Sequence, residues 1–500
     1  MKTIKVYFKI KQGKLQSKSN LDAQLAYLKQ AGYRFTHTPT GKLRLTIIAS
    51  PLFDLYYREI APQTYCVTNE IKLIGEGLEP CPELLKVYYT TGYCKLGQTV
   101  YRKVFCFISA HTYKFNKLLS AKPHNYKGAK QTIDDLVDTL KHTLKQKLYG
   151  KKKVGVFFSG GVDSLLLVLV LESLGIPFKL YTFKENPSYK ENYIDLSISE
   201  TIAKYKNWSH EVVNIDYKGI YTDQLKQFMT APSLKIHRTD PYFISMQRMK
   251  VDDVDIVLSG AGFDVLQNFC LTGSLPREGF IPLAKRFYVS EFFLNNFDKK
   301  NFKARMANCI GYIGLLFYRH RKKDCAYKLP YNQAELMNNF LYTPEMVVFG
   351  KEKLPPPMVK TNFREALFNP FVSVWLNSQA VGLFKSLSIH FDIDVCLPYT
   401  DDLAIKYFYN RRHHWKDFIY GKSELYSYIG NLDPYLLQVL VSQPKVSKKI
   451  KNYHQAVSSY IDLKDSLDLK NYFEESRRNG YTPTIAYNMA LRKFWMNRWR

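Results

Sequence analysis

Positions 159 to 164 read Ser-Gly-Gly-Val-Asp-Ser, which places two hydroxyl donors, two glycines and one carboxylate within six residues. The chemistry of that set is anion binding. Ser159 and Ser164 can donate hydrogen bonds, and Gly160 and Gly161 let an anion approach backbone N–H groups that converge at a helix start. Val162 adds an apolar side chain, and Asp163 repels phosphate unless a divalent cation lies between them. The turn holds no lysine, so it is not a Walker A loop, and it lacks G-x-G-x-x-G spacing. It reads as a site for a metal-bound pyrophosphate. A second turn, Ser259-Gly260-Ala261-Gly262-Phe263-Asp264, repeats Ser-Gly followed by an aspartate. Asp163 and Asp264 are therefore candidates to share one or two magnesium ions on a triphosphate, with N-cap or turn duty as the structural alternative.

Such turns need strands to hold them. Val154 to Phe158 is an apolar run without alternation, the pattern of a parallel strand covered on both faces. Leu165 to Leu174 is apolar on all sides and is closed by Gly175 and Pro177, the pattern of a buried helix. Gln131 to Leu148 is amphipathic, with Asp134 and Asp135 in its first turn and Lys145 and Lys147 in its last, in keeping with the helix dipole. Strands are expected at Phe178 to Phe183, His210 to Ile215 and Asp255 to Leu258, with helices at Ile194 to Lys206 and Pro241 to Met249. The repeated strand–helix order predicts an α/β fold, a parallel sheet with helices on both faces and right-handed crossovers. Ligands bind such sheets at the carboxyl ends of the strands.

Residues 1–120 alternate strand-like runs (Ile4 to Ile10, Leu43 to Ala49, Gln63 to Val67, Val104 to Ala110) with turns, and Pro82 to Tyr89 reads as a helix. They form a small β-rich α+β domain, and 121–500 form the second. From about Leu275 the pattern is mainly helical, broken at Pro355-Pro356-Pro357, and Ser378 to Tyr409 reads as helix, turn and helix.

The chain has 500 residues, 46% hydrophobic, enough for two cores. No window reaches the roughly 18 uncharged apolar residues of a membrane span, and the lysine-interrupted start has no signal-peptide core. A cytoplasmic location is the expectation. Eight cysteines without a C-x-x-C pair fit reduced thiols better than disulfides or zinc. The net charge of +28 points to an anionic partner: an acidic substrate, a membrane surface or, less favoured, nucleic acid. Basic clusters stand at Arg319 to Lys323, Lys445 to Lys451 and Arg492 to Arg500, the last interleaved with Phe494, Trp495 and Trp499.

Ser159 to Ser164 resembles the SGGxDS signature of the PP-loop ATP pyrophosphatases. With Ser259 to Asp264 the resemblance narrows to their asparagine-synthetase-like branch, over about residues 120–440. The resemblance implies ATP, Mg2+ and cleavage between the α and β phosphates, with Ser159, Gly160, Gly161, Val162, Asp163, Ser164, Ser259, Gly260 and Gly262 around the nucleotide. It places Thr182 and Phe183 where the second strand passes the adenine. The branch's second turn usually reads Ser-Gly-Glu-Gly-x-Asp-Glu; here Ala261 and Val265 replace both glutamates. Asn377 to Asp401 resembles the stretch ending in Pro-Phe-Leu-Asp. Gly421-Lys422-Ser423-Glu424 resembles the segment that carries a catalytic lysine, although the usual spacing falls near Leu425. Lys422 is thus either that lysine, stabilising charge on the adenylate, or a solvated surface residue. Glutamine-hydrolysing members expose a cysteine after Met removal; this chain has Lys2 and a far shorter N-terminal region, described best as a truncated glutaminase-like or recognition domain.

The expected function is an ATP-dependent ligase that adenylates a carboxylate of a small molecule, peptide or glycan for attack by ammonia or a substrate amine, without glutaminase activity. A PP-loop enzyme that modifies transfer RNA and a nucleotide-binding pseudo-enzyme are the alternatives.

Overall fold

A computed structural model describes residues 5–17, 20–74, 78–82, 84, 97–115, 119–185, 192–215, 239–264, 266–267, 381–411, 422–442 and 467–478. The three basic clusters, the triple proline, Val265, Asn377 and most of the expected Pro82 to Tyr89 helix lie outside them.

The N-terminal part is a sandwich of two antiparallel sheets. Strands β1 (Tyr7–Lys11), β2 (Lys14–Gln16), β5 (Tyr56–Ala61), β6 (Thr64–Thr68) and β7 (Phe105–Cys106) make one sheet in the order β2-β1-β6-β5-β7. Strands β3 (Tyr33–His37), β4 (Leu43–Ile47), β8 (His111–Phe115) and β9 (Leu119–Pro123) make the other in the order β3-β4-β8-β9. Period-two alternation drives the packing: Leu43, Leu45 and Ile47 point inward with Tyr113 and Phe115, against Phe8, Ile10, Tyr57 and Val67 of the facing sheet. Helix α1 (Leu21–Gln30) packs against β3, and the side chain of its N-cap Asn20 accepts the Ala23 amide at 3.1 Å.

The expected strand Val104 to Ala110 is corrected. Only Phe105–Cys106 pairs there, because Lys103 and Ala110 take left-handed backbone at φ 58° and 57° and bend the chain out of the ladder. The hydrogen-bonded run resumes at His111.

The second part is built on one all-parallel sheet. Its strands are β10 (Val154–Phe157), β11 (Lys179–Glu185), β12 (His210–Ile215), β13 (Ile256–Ser259) and β14 (Asp394–Cys396), ordered β12-β11-β10-β13-β14. Helices α2 (Ile133–Lys147), α3 (Val162–Ser173) and α4 (Asn192–Tyr205) precede and follow the first strands, and α5 (Thr239–Val251) leads into β13. All four residues of β10 are buried, and in α3 every residue from Leu165 to Leu171 is buried, as the unbroken apolar runs require.

Strand β14 departs from the expected helix–turn–helix over Ser378 to Tyr409. The chain there forms α6 (Gly382–Phe391), a three-residue edge strand and, after a short 3-10 turn, α7 (Asp402–Asn410). Three residues are too few to show a period, and the strand exists because β13 offers it a ladder. Helices α8 (Ser423–Leu432), α9 (Pro434–Ser442) and α10 (Leu467–Arg478) complete the described chain.

The sheet has apolar clusters on both faces. One gathers Leu136, Leu140, Leu166, Ile202, Tyr407, Leu425 and Leu436 from α2, α3, α4, α7, α8 and α9. The other gathers Phe157, Tyr181, Phe243, Met246 and Phe384 with α5 and α6. From β10 the chain winds outward to β12, then returns to lay β13 on β10's other side. That reversal is a topological switch point, where the crevice of a doubly wound sheet lies.

Candidate active site

Both glycine turns emerge at this switch point. Phe157 pairs with Ser259 in the β10–β13 ladder, so the strands end level and their turns lie side by side. Gly160 has φ +66°, and a Cβ there would lie 2.8 Å from the Ser199 amide nitrogen and 2.9 Å from Ile198 Cγ2. Only glycine fits that position. Gly161 then caps α3, leaving the first amides of the helix facing the turn. Gly260 lets the second turn close on the first: a Cβ there would touch the Ser164 nitrogen at 3.4 Å.

The hydroxyls are organised locally. Ser164 Oγ donates to the Gly161 carbonyl at 3.0 Å and lies 3.4 Å from Ser159 Oγ, which in turn accepts the Gly161 amide at 3.4 Å. In the second turn, Ser259 Oγ accepts the Ala261 amide at 3.2 Å. Val162 is buried in the first turn of α3.

Lys422 lies in this site and not on the solvated surface. Its ammonium donates to Asp163 and forms an ion pair with Asp264 as well, and it stands 5.1 Å from the centre of the Phe263 ring. Burial alone would depress the ammonium; the two carboxylates overcome it and raise its pKa above the ordinary lysine value. Two carboxylates from separate turns thus converge on one cation. A magnesium ion takes one or two protein carboxylates and completes its shell with water and phosphate oxygens, so Asp163 and Asp264 suit one beside a triphosphate.

Several residues of the site carry no sequence signature. Tyr399, fully buried, donates from its hydroxyl to the Asp163 main-chain carbonyl at 2.8 Å and packs edge-on to Phe263 at 4.9 Å. Burial raises its phenol pKa well above 10, and Asp163 adds to the effect. Lys422 is the N-cap of α8, and the next turn of charge fixes that helix: Glu424 accepts from Tyr407 at 3.1 Å and pairs with buried Arg411 at 3.4 Å. Arg411 also donates to Gln267, just beyond the second turn. Tyr426 lies near the same charges; burial raises its phenol pKa, Lys422 pulls against it, and Asp163 and Asp264 add to burial. These residues are scattered in sequence, and only the Pro398-Tyr399-Thr400-Asp401 turn hinted at them.

Thr182 and Phe183 lie one strand away. The Thr182 hydroxyl donates to the Phe158 carbonyl at 2.5 Å and lies 2.8 Å from His210 Nε2, so it ties strand ends together. Phe183 belongs to an aromatic group with Tyr242, at 5.5 Å between ring centres, which also contacts Phe157 at 5.3 Å and Phe384 at 5.2 Å. These rings meet edge to face, as part of the apolar cluster that covers one face of the sheet.

The asparagine synthase family model matches residues 135–268, which hold both turns. Residues 135–268 of this chain thus resemble an asparagine synthase domain. Over 153 residues it is 29% identical to a Methanocaldococcus jannaschii protein named asparagine synthetase [glutamine-hydrolyzing] 1. The match covers 29% of this chain and 26% of that relative, so the chain spans about a quarter of the relative's length. Two solved structures are similar in part. One is described as a predicted subunit of a tRNA methyltransferase from M. jannaschii: 25% identity, 22% of this chain and 52% of that one, TM-score 0.15. The other is a U34-tRNA thiolase from Methanococcus maripaludis: 17% identity, 42% and 72%, TM-score 0.20.

The asparagine-synthetase-like domain is thus the part of the chain that holds the switch-point crevice. Among the described residues no helix is long and apolar enough to cross a membrane. Among them too, Cys66 and Cys396 are free thiols.

Proposed function

We propose that the protein is an ATP-dependent ligase that forms an amide by way of an acyl-adenylate. The observation that carries this reading is the convergence of Asp163 and Asp264, from two glycine turns at one switch point, on Lys422.

A substrate carboxylate oxygen attacks the α phosphorus of ATP, and pyrophosphate leaves. An amine nitrogen then attacks the acyl carbon, loses a proton, and AMP departs with the electrons of the C–O bond. The turn Ser159 to Ser164 and the start of α3 bind the phosphates through N–H groups and hydroxyls. Magnesium, held by Asp163 and Asp264, would neutralise charge on the leaving pyrophosphate. Lys422 offers its ammonium to the negative charge that develops on the α phosphate and the acyl oxygen. The amine is ammonia or an amino group of the substrate, and the N-terminal sandwich is a recognition unit and not a glutaminase. Ala261 leaves the second turn without a proton acceptor at that position, so the attacking amine gives its proton to water or to the substrate itself.

The test is ATP–pyrophosphate exchange with purified protein, Mg2+ and a panel of carboxylic acids. Carboxylate-dependent exchange that Asp163→Ala abolishes is expected. Formation of ADP and phosphate, or ATP-induced heat stabilisation without turnover on any acid, would overturn the reading.

A further inference from the structure

The outer face of the β3-β4-β8-β9 sheet is basic and has no counter-charge among the described residues. Arg34, Arg44, Lys114 and Lys122, one from each strand, all point away from the sandwich core. The other outward positions carry hydroxyls, among them Thr46 and Thr112, whose oxygens are 3.5 Å apart across the strands. No acidic residue and no aromatic residue lies on this face. Arg44 stands directly opposite Lys114 in the ladder. Like charges in that relation destabilise a sheet, and burying the Arg44 Nε without a hydrogen-bond partner among the described residues adds to the cost.

Several basic groups of the second part carry counter-charges. Lys151 pairs with Asp394 at 2.6 Å and Lys153 with Asp253 at 3.5 Å. Lys179 and Arg248 share Glu211 and Asp252. The β3-β4-β8-β9 face spreads cations and hydroxyl donors over all four of its strands, about 14 Å at the usual spacing of neighbouring strands, whereas Lys9, Lys11 and Lys14 make a smaller basic patch on strands β1 and β2 of the other sheet.

We propose that this face binds an acidic polypeptide, a segment rich in Glu or Asp, which is the carboxylate substrate or carries it. This rests on the ligase reading for the choice of polyanion. A peptide carboxylate can be held by the same group that the distant site activates, whereas a nucleic acid brings no carboxylate. The absence of aromatics on the face disfavours stacking on bases or sugar rings, and the absence of apolar side chains disfavours insertion into a lipid surface. Arginine forks and serine or threonine hydroxyls match carboxylates well.

The experiment is fluorescence anisotropy of labelled poly-L-glutamate with the full-length protein, without ATP. Binding is expected to weaken with salt and to fall at least tenfold in Arg44→Ser/Lys114→Ser. Arg34→Ser/Lys122→Ser, at more exposed positions, should fall likewise and serves if the first variant misfolds. Lys9→Ser/Lys11→Ser, on the other sheet, removes equal charge and should change binding less than twofold. Equal loss in that control, no polyglutamate binding, or tighter binding of duplex RNA, polygalacturonate or phosphatidylserine vesicles would overturn the proposal. Asp163→Ala should bind polyglutamate as the wild type does, so failure of the ligase reading and failure of the docking face give different results.

Discussion

The hydroxyl of Tyr399 holds the main-chain carbonyl of Asp163 at 2.8 Å, a contact between residues 236 positions apart. It holds the first turn of α3 at its main chain, and so steadies the residue that carries the Asp163 carboxylate. Tyr399→Phe keeps the ring packed on Phe263 and removes only the bond. A stability loss of about 1 kcal/mol is expected, with a several-fold rise in the KM for ATP and a smaller change in kcat. Chemical denaturation and steady-state kinetics would measure the two.

Gly160 sets a stricter condition on the same turn. Its positive φ and the 2.8 Å approach to the Ser199 amide leave no room for a methyl group. Gly160→Ala should cost about 1–2 kcal/mol for the left-handed backbone alone and should abolish nucleotide binding, as read by titration calorimetry. Gly175→Ala, also at positive φ but with nothing within 4 Å of the added carbon, should cost a similar backbone strain and leave ATP binding intact.

Lys422→Met removes the cation shared by Asp163 and Asp264. Pyrophosphate exchange is expected to fall by two orders of magnitude or more, and stability by about 2 kcal/mol, the scale of a hydrogen bond to a charged group. The two carboxylates then face each other without a counter-ion. Mg2+ alone should raise the melting temperature of this variant more than that of the wild type, as thermal unfolding with and without the ion would show.

Acid sensitivity has a specific source in the sandwich. Burial lowers the pKa of His111 from 6.5 to about 4, while its Nδ1 stays 2.8 Å from the Ser109 carbonyl. Between those values the unfolded chain takes up a proton that the folded chain refuses, so stability falls as pH drops from about 6.5 and levels off below about 4. The loss amounts to about 3 kcal/mol at roughly 1.4 kcal/mol per pH unit. His124, depressed by burial too, acts in the same sense, and Asp402, raised by burial, opposes both. His111→Gln removes only the first share; its denaturation midpoints should depend less on pH across this window.

The centre of the sheet and its first turn were legible in the sequence because β10 and Ile256 to Leu258 of β13 are unbroken apolar runs and the turns after them carry their own glycines. Helix ends moved by only a few residues, as for α2, expected over Gln131 to Leu148 and found over Ile133–Lys147. Strand β14 was not legible, since three residues show no period and its ladder partners, Ile256 to Leu258, stand 138 positions earlier. The Tyr399, Glu424 and Arg411 contacts were hidden for the same reason: nothing local marks a tyrosine whose partner is a backbone carbonyl in another element. The basic sandwich face escaped because its four charges lie on four strands and meet only when the sheet is assembled.

Asp401 and Asp402 stand side by side after Tyr399 and serve different masters. Asp401 caps α7 by accepting the Leu403 amide at 3.0 Å, while Asp402 accepts the Ala49 amide at 3.3 Å and the Tyr126 hydroxyl at 2.9 Å, drawing the sandwich against the nucleotide domain. Four consecutive residues thus reach the phosphate turn, the start of α7, and the chain just beyond β4 and β9. Exchange of the N-terminal unit for an unrelated one would take the Ala49 donor from the Asp402 carboxylate, three residues from the tyrosine that steadies Asp163.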